Sequence, residues 1–217
     1  TYDPHQSEYL ADHYKTRVWI SGFTGSAGTV VVTEDEAILW TDGRYFIQGE
    51  NELAGSEIQL FKMGIPGFPT YMEWLRDNLE EGDTIGFNGK IFPQSDVKKL
   101  EKEVENKKIE LIDEFDLVGE LWTDRPSTPR SKAFVHDVKY TGKTAKEKVE
   151  EVRKEMEKKG ADYFLLGSLD DIAWVYNIRG RDVTCNPVVI SYALISRDRA
   201  WLFVDKDKID AKVESYL

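Results

Sequence analysis

Thr29-Val-Val-Val-Thr-Glu-Asp-Glu-Ala-Ile-Leu-Trp-Thr-Asp42 lies without a gap over a later stretch, Tyr192-Ala-Leu-Ile-Ser-Arg-Asp-Arg-Ala-Trp-Leu-Phe-Val-Asp205. Asp35 meets Asp198, Ala37 meets Ala200, Leu39 meets Leu202 and Asp42 meets Asp205 at one constant offset. In each, an apolar run, a short polar turn and a second apolar run predict a hairpin of the same length. Upstream, Ser7 to Tyr14 and Asp170 to Asn177 read as comparable amphipathic segments entering a strand, with a small slip in register. The chain therefore reads as a duplicated fold cut at both ends. The first copy lacks the helix and strand that precede Ser168 in the second, and the second lacks the helices that follow Asp42 in the first.

Working outward from the first hairpin, Arg17 to Ser21 is β-prone, and Gly22, Gly25 and Gly28 are expected to turn the backbone through positive φ between two strands. Beyond Asp42, Tyr45, Phe46, Gly49 and Leu53 stand at helical spacing, Gly55 supplies a stop, and Ile58 to Lys62 reads as a strand. Thr70 with Glu73 three residues on predicts a capped helix carrying Leu75 and Leu79. A strand at Ile85 to Phe87, a helix from about Ser95 with Val97, Leu100 and Val104 on one side, and a strand at Ile109 to Ile112 follow. Strand and helix alternate, which implies an α/β sheet flanked by helices. Phe115 to Trp122 predicts a short helix, and Pro126 and Pro129 then resist both helix and central strand. A boundary placed there gives domains over 1–125 and 126–217. In the second, Thr144 and Glu147 cap a helix with Ala145, Val149, Val152 and Met156 on its apolar stripe, Gly160 ends it, and Tyr163 to Gly167 opens a new sheet.

The length of 217 residues accommodates two units of roughly 100 residues each. Hydrophobic residues at 41% supply real cores and exclude a disordered chain. No apolar run reaches the roughly 20 residues that cross a bilayer, and the opening residues are not signal-like. Cys185 is the one cysteine, so there is no internal disulfide, which suits a reducing compartment and a cytoplasmic location. A formal charge of −11, with basic residues interspersed among acids, argues against nucleic acid.

Catalytic groups are sparse. The histidines are His5, His13 and His136, without H-E-x-x-H or paired-cysteine spacing, and read as surface or loop residues. Asp170 and Asp171 precede an apolar run and read as helix-capping residues. Ser26 in Gly25-Ser26-Ala27-Gly28 departs from the nucleophile-elbow pattern and precedes a strand, and the loop lacks the Gly-Lys-Ser/Thr of a phosphate cradle. Arg44 and Arg179 are the side chains whose charged forks could grip a carboxylate or carbonyl, or tie a loop to its own domain.

Five stretches, in order along the chain, carry a resemblance. Asp3-Pro-His-Gln-Ser-Glu-Tyr9, Ser21-Gly-Phe-Thr-Gly-Ser-Ala-Gly-Thr29, Trp40-Thr-Asp-Gly-Arg-Tyr-Phe46, Leu121-Trp-Thr-Asp-Arg-Pro126 and Leu169-Asp-Asp-Ile-Ala-Trp-Val-Tyr-Asn-Ile-Arg-Gly180, with Asn186-Pro187 beyond, resemble aminopeptidase P of the long, three-domain kind. The resemblance implies two tandem creatinase N-terminal-like domains with a ribonuclease H-like motif, each a mixed sheet flanked by helices, ahead of a pita-bread catalytic domain. It also implies a cytoplasmic homodimer that removes the residue before a penultimate proline, using two divalent ions, manganese by expectation, held by the third domain. No catalytic residue and no metal ligand of that set falls within this sequence. The two domains would shape access for proline-containing peptides and contribute to dimerisation. Arg44, Asp171, Trp174 and Arg179 lie in the most family-like motifs without being needed for folding, so they are expected on the surface facing the catalytic domain. Two readings compete: a non-enzymatic peptide- or protein-binding module of the same fold, and a creatinase or prolidase, chains of which carry one amino-terminal domain rather than two.

Overall fold

The computed structural model describes residues 2–217, which divide into two compact units. Unit 1 holds residues 2–8 and Tyr14–Pro126, and unit 2 holds Tyr9–His13 and Ser127–Leu217.

Unit 1 runs α1 (Thr16–Ser21), β1 (Thr29–Val32), β2 (Ala37–Thr41), α2 (Phe46–Glu52), β3 (Ile58–Lys62), α3 (Tyr71–Asn78), β4 (Thr84–Gly86), α4 (Gln94–Val104), β5 (Glu110–Ile112) and α5 (Leu117–Leu121). β2 pairs antiparallel with β1 and parallel with β3, so its sheet is mixed. β4 and β5 form a separate parallel pair, which divides the single sheet expected here into two. Ile38, Leu39 and Trp40 are all buried because β2 is central and covered on both faces. On one face, Ile38 and Trp40 pack with Trp74 and Leu75 of α3 and Leu100 and Val104 of α4. The Trp40 indole N–H donates to Pro69 O at 2.8 Å, so the ring is buried without an orphaned donor. On the other face, Leu39 packs with Phe23 and Leu53. The cap of α3 is the expected one, with Thr70 and Glu73 bonding each other's backbone N–H.

Unit 2 runs β6 (Phe134–Val135), α6 (Val138–Thr141), α7 (Ala145–Lys158), β7 (Tyr163–Leu166), α8 (Leu169–Tyr176), β8 (Ile178–Arg179), β9 (Ser191–Ser196), β10 (Ala200–Val204) and α9 (Ala211–Tyr216). Its sheet has the order β10-β9-β7 and is antiparallel throughout, while β6 pairs with β8. Its core gathers Val149 and Met156 of α7, Ile172 and Val175 of α8, Ala193 and Ile195 of β9, and Val213 of α9.

The two hairpins share one register. Val30↔Leu39 and Val32↔Ala37 in unit 1 become Ala193↔Leu202 and Ile195↔Ala200 in unit 2 at the sequence offset. The turns repeat as well. Thr33 Oγ1 accepts the N–H groups of Asp35 and Glu36, and Ser196 Oγ accepts those of Asp198 and Arg199. Even the exits match, since Asp42 Oδ1 takes the Arg44 N–H at 3.0 Å and Asp205 Oδ1 takes that of Asp207 at 2.9 Å.

Four local expectations are corrected. Arg17 to Ser21 is helical rather than extended. Gly22 closes that helix in the left-handed region, its N–H on Val18 O, and the buried Arg17 side chain reaches the carbonyls of Gly25 and Gly28, so tertiary demand overrides β propensity. The loop after it joins a helix to a strand, and only Gly22 of its three glycines has positive φ. Gly28 is required for close approach, because a Cβ there would stand 2.8 Å from Trp40 O. The counterpart of α8 is α1, both closed by a left-handed residue (Gly22, Asn177), and not Ser7 to Tyr14, whose helical content is one 3-10 turn at Asp12–Tyr14. The register upstream therefore slips further than the sequence suggests, because the connection from α8 to β9 is longer than that from α1 to β1. Finally, Ser168, not Asp170 or Asp171, caps α8, and the two aspartates occupy its first turn, where they favour the helix dipole.

One buried ion pair ties unit 2 together. Asp182 accepts from Lys208 Nζ at 2.5 Å, from the Ile190 N–H at 2.7 Å and from the Ser131 hydroxyl at 2.7 Å. Both charged side chains are almost wholly enclosed. Asp182→Ala leaves a buried ammonium without its counter-charge, and the expected loss is about 3–5 kcal/mol. Glu81→Ala, which removes an exposed pair with Lys108, is expected to cost less than about 1 kcal/mol. Urea midpoints of the two variants measure the contrast, and a wild-type midpoint for Asp182→Ala would show that the tie is dispensable.

Candidate functional site

Two polar surfaces carry the residues singled out in the sequence, one on each unit. In unit 1 the exit of β2 places Asp42, Arg44 and Tyr45 beside the loop Gly22–Gly28. Asp42 holds Arg44 in a two-pronged bond, Nε to Oδ1 at 2.9 Å and Nη2 to Oδ2 at 2.8 Å, and the guanidinium lies 5.0 Å from the Tyr45 ring. The fork is occupied, yet the group is exposed, so one face of the pair is open to a further acceptor. The hydrogen bond from Arg44 holds the Asp42 carboxyl below its ordinary value. Tyr45 shares a 2.7 Å hydrogen bond with Ser26, which draws its phenol downward. Ser26 thus has a structural partner in a tyrosine rather than a base. Next to it, Glu52 accepts from the Thr24 N–H at 2.8 Å and the Thr24 hydroxyl at 2.6 Å, and Gln48 bonds both residues.

In unit 2 the surface is built around the carboxyl end of α8. Lys148 on α7 is buried, and its Nζ donates to Trp174 O at 2.9 Å and Asn177 Oδ1 at 2.6 Å while lying 4.4 Å from the Trp174 ring. Arg179 on β8 donates Nη1 to Ala173 O and to Ile178 O at 2.9 Å. Two cations therefore satisfy helix carbonyls that would otherwise lack partners, and they complement the negative end of the dipole. Burial, then Arg179 and Lys143, push the Lys148 ammonium below its ordinary value, and burial does the same to Arg179. Trp174 keeps its outer surface in solvent. Asp171 is exposed one helical turn earlier on the same side of α8.

The structure therefore gathers Trp174 and Arg179 at the carboxyl end of α8, where Lys148 bonds Trp174 O and Arg179 bonds Ala173 O, sets Asp171 nearby on the helix, and puts Arg44 in the other unit. Sequence reasoning missed Lys148 and Asn177. Lys148 sits among Lys146, Glu147 and Glu150 as though on a solvated face, but it falls three after Ala145 and four before Val152, in line with the apolar stripe. Asn177 adopts φ +51, a conformation that asparagine tolerates better than most residues.

Two grooves, of about 850 and about 460 Å³, run beside β1 in unit 1. The larger is walled by residues such as Val31, Trp74, Ile85 and Leu100, the smaller by Ile20, Val30, Phe92 and Leu121. No histidine or cysteine lines either. Among the described residues, no group of three His, Cys, Asp or Glu side chains could hold a metal ion, and no helix is long and apolar enough to cross a membrane.

Lys148→Ala is expected to cost roughly 2–3 kcal/mol, because two buried acceptors lose their donor and a gap opens beneath Trp174. Arg44→Ala is expected to leave thermal unfolding close to wild type, since its ion pair is exposed. Calorimetry of the two variants checks the assignment of one residue to stability and the other to surface chemistry.

Comparison with known proteins gives a consistent result over nearly the whole chain. A creatinase/prolidase N-terminal domain family matches residues 8–118, and a second family of the same description matches residues 124–217. Aminopeptidase P2 of Arabidopsis thaliana is 42% identical across 99% of this chain and 31% of its own length. Xaa-Pro aminopeptidase 1 of Dictyostelium discoideum is 38% identical across 99% of this chain and 36% of its own. The crystal structure of X-prolyl aminopeptidase from Caenorhabditis elegans, described as a cytosolic enzyme with a di-nuclear active site, superposes with a TM-score of 0.91 at 38% identity, over 99% of this chain and 35% of that one. The chain spans about a third of the length of the curated relatives it matches.

Proposed function

The chain belongs to the creatinase/prolidase N-terminal domain family, and from that premise we propose that it is the amino-terminal, non-catalytic part of a Xaa-Pro aminopeptidase. The observation that carries this reading is the pattern of coverage: peptidases match 99% of this chain, while the chain accounts for only about a third of them. In this reading the chain holds two creatinase-like domains, over 1–125 and 126–217.

The parent protein cleaves the bond before a penultimate proline. That bond is a tertiary amide without an N–H, which ordinary proteases handle poorly, and a pair of divalent ions would polarise it and supply a bound hydroxide. The residues described here do not fit such a centre, because they offer no cluster of donors, so no hydrolytic step is assigned to them. Two ions, manganese by preference, belong in this proposal to a catalytic domain beyond the present sequence, and the whole assembles as a cytoplasmic homodimer.

The part played by units 1 and 2 is to shape access for short proline-containing peptides. Arg44 offers an exposed guanidinium already oriented by Asp42 and Tyr45. Asp171, Trp174 and Arg179 present an acid, an exposed indole and a partly exposed cation around one helix. These are groups that meet a peptide's termini and side chains, or a neighbouring domain, by charge and stacking.

In the full-length enzyme, Arg44→Ala and Arg179→Ala are each expected to lower kcat/KM for an X-Pro peptide by roughly tenfold, the loss of one oriented ionic contact. Steady-state kinetics, with circular dichroism to show retained folding, measures this. Unchanged kinetics in both variants would remove the access role.

A further inference from the structure

The turn that leaves β4 holds a chemistry that neither surface above uses. Asn88-Gly89 is the one place in the chain where an asparagine precedes a glycine. The amide nitrogen that follows an asparagine can attack the side-chain carbonyl, and glycine has no side chain to obstruct the approach. Gly89 is exposed and Asn88 half-buried, so water reaches the pair.

The fold supplies what such an attack needs. Asn88 Oδ1 accepts the Lys90 N–H at 3.0 Å, which polarises the carbonyl and sets a donor where negative charge gathers during the attack. Asn88 O accepts the N–H groups of Ile91 and Phe92, both at 3.1 Å, so the turn is held in this shape. Asp113, at the exit of β5, stands against it. Its carbonyl takes the Gly89 N–H at 2.9 Å, and its carboxylate lies so close that a Cβ on Gly89 would stand 2.9 Å from Oδ2. A side chain at 89 would collide with Asp113. The proton that must leave the Gly89 nitrogen already points at the residue whose carboxylate can take it.

The related pair Asp42-Gly43 is built the opposite way. Arg44 grips both Asp42 oxygens and holds the carboxyl below its ordinary value, so the group stays an anion and a poor electrophile. Asn186 precedes Pro187, whose nitrogen carries no proton to give up.

We infer that Asn88-Gly89 is a self-modifying site, at which the Asp113 carboxylate acts as the base for deamidation of Asn88. The Gly89 nitrogen bonds to Asn88 Cγ while its proton passes to Asp113, and the carbonyl electron pair moves onto Oδ1 under the Lys90 N–H. The pair returns, the Cγ–Nδ2 bond breaks, and the amide nitrogen leaves as ammonia with the proton that Asp113 held. Water then opens the cyclic imide at either carbonyl, which gives aspartate or, with an extra methylene in the backbone, isoaspartate. Either product sets a second carboxylate beside Asp113, where β4 and β5 are only 3 residues long, and loosens the turn that feeds α4. The site is independent of the peptidase reading.

The purified protein is held at neutral pH and physiological temperature, folded and in urea, and peptide mapping by mass spectrometry follows asparagine, aspartate and isoaspartate at position 88. Asp113→Asn is followed beside it, with Asp113→Ser as a second variant should the first not fold. The folded wild-type protein is expected to convert at Asn88 while Asn51, Asn78, Asn106 and Asn177 stay intact. Asp113→Asn is expected to slow that conversion at least about tenfold in the folded protein and to leave the rate in urea unchanged. A folded protein that keeps Asn88 intact while the chain in urea converts would show that the bond from Gly89 to Asp113 O shields the site, and would overturn the inference. Equal rates in the folded wild type and the Asp113 variants would remove the base and overturn it as well.

Discussion

A strand with apolar side chains on both sides has to be covered twice. The run Ala37-Ile-Leu-Trp-Thr41 imposes this constraint on unit 1, and the rest of the unit is arranged to meet it. Leu39 turns toward Phe23 and Leu53, Ile38 and Trp40 toward α3 and α4, and each of the three is removed from water. Fully burying one such side chain contributes roughly 1.5–3 kcal/mol, so the strand alone accounts for a large share of a small domain's stability. The close fit at Gly28 follows from the same demand, because the loop that carries Phe23 inward must pass over the Trp40 carbonyl. Arg17 then satisfies the loop carbonyls that this route would otherwise leave without donors.

What was legible in the sequence was whatever is written in local chemistry. The capping boxes at Thr70 and Thr144 declare themselves by residue type at fixed spacing, and both are present as expected. β3 falls on Ile58 to Lys62, and the paired hairpins keep the register that their alignment implied. The misreadings fall where distant residues decide. Nothing near Arg17 announces that its side chain must reach Gly25 and Gly28, so a β-prone run became a helix. Nothing near Lys148 announces that the end of α8 will arrive with two carbonyl-type acceptors. Arg44 and Arg179 were visible as candidates because arginine in a turn motif is conspicuous. The boundary read near Pro126 had already put them in different domains.

The two surfaces differ in how much of their chemistry is already committed. Lys148 and Arg179 serve the backbone first, holding the last turn of α8 so that Trp174 keeps a fixed position. Arg44 is tied only to its neighbours Asp42 and Tyr45 and keeps its charge at the surface. A scaffold that presents groups to a substrate or to another domain benefits from this division, since rigid placement limits the entropy lost when a contact forms. The Asx turn that orients Arg44 recurs at Asp205, where Asp207 stands in place of the arginine. Duplication has thus preserved the turn and reversed the sign of the charge it displays.

The outer edge of β1 has a consequence for handling the protein. The Thr33 N–H donates to Glu36 O, so alternation along the ladder turns the amides of Val30 and Val32 away from β2. In unit 2 the corresponding rungs, at Ala193 and Ile195, are taken by Leu166 and Phe164 of β7. Empty rungs act as a template. Extended chain from a neighbouring molecule can zip onto them, so the protein is open to strand exchange between copies, and dilution is the condition that disfavours it.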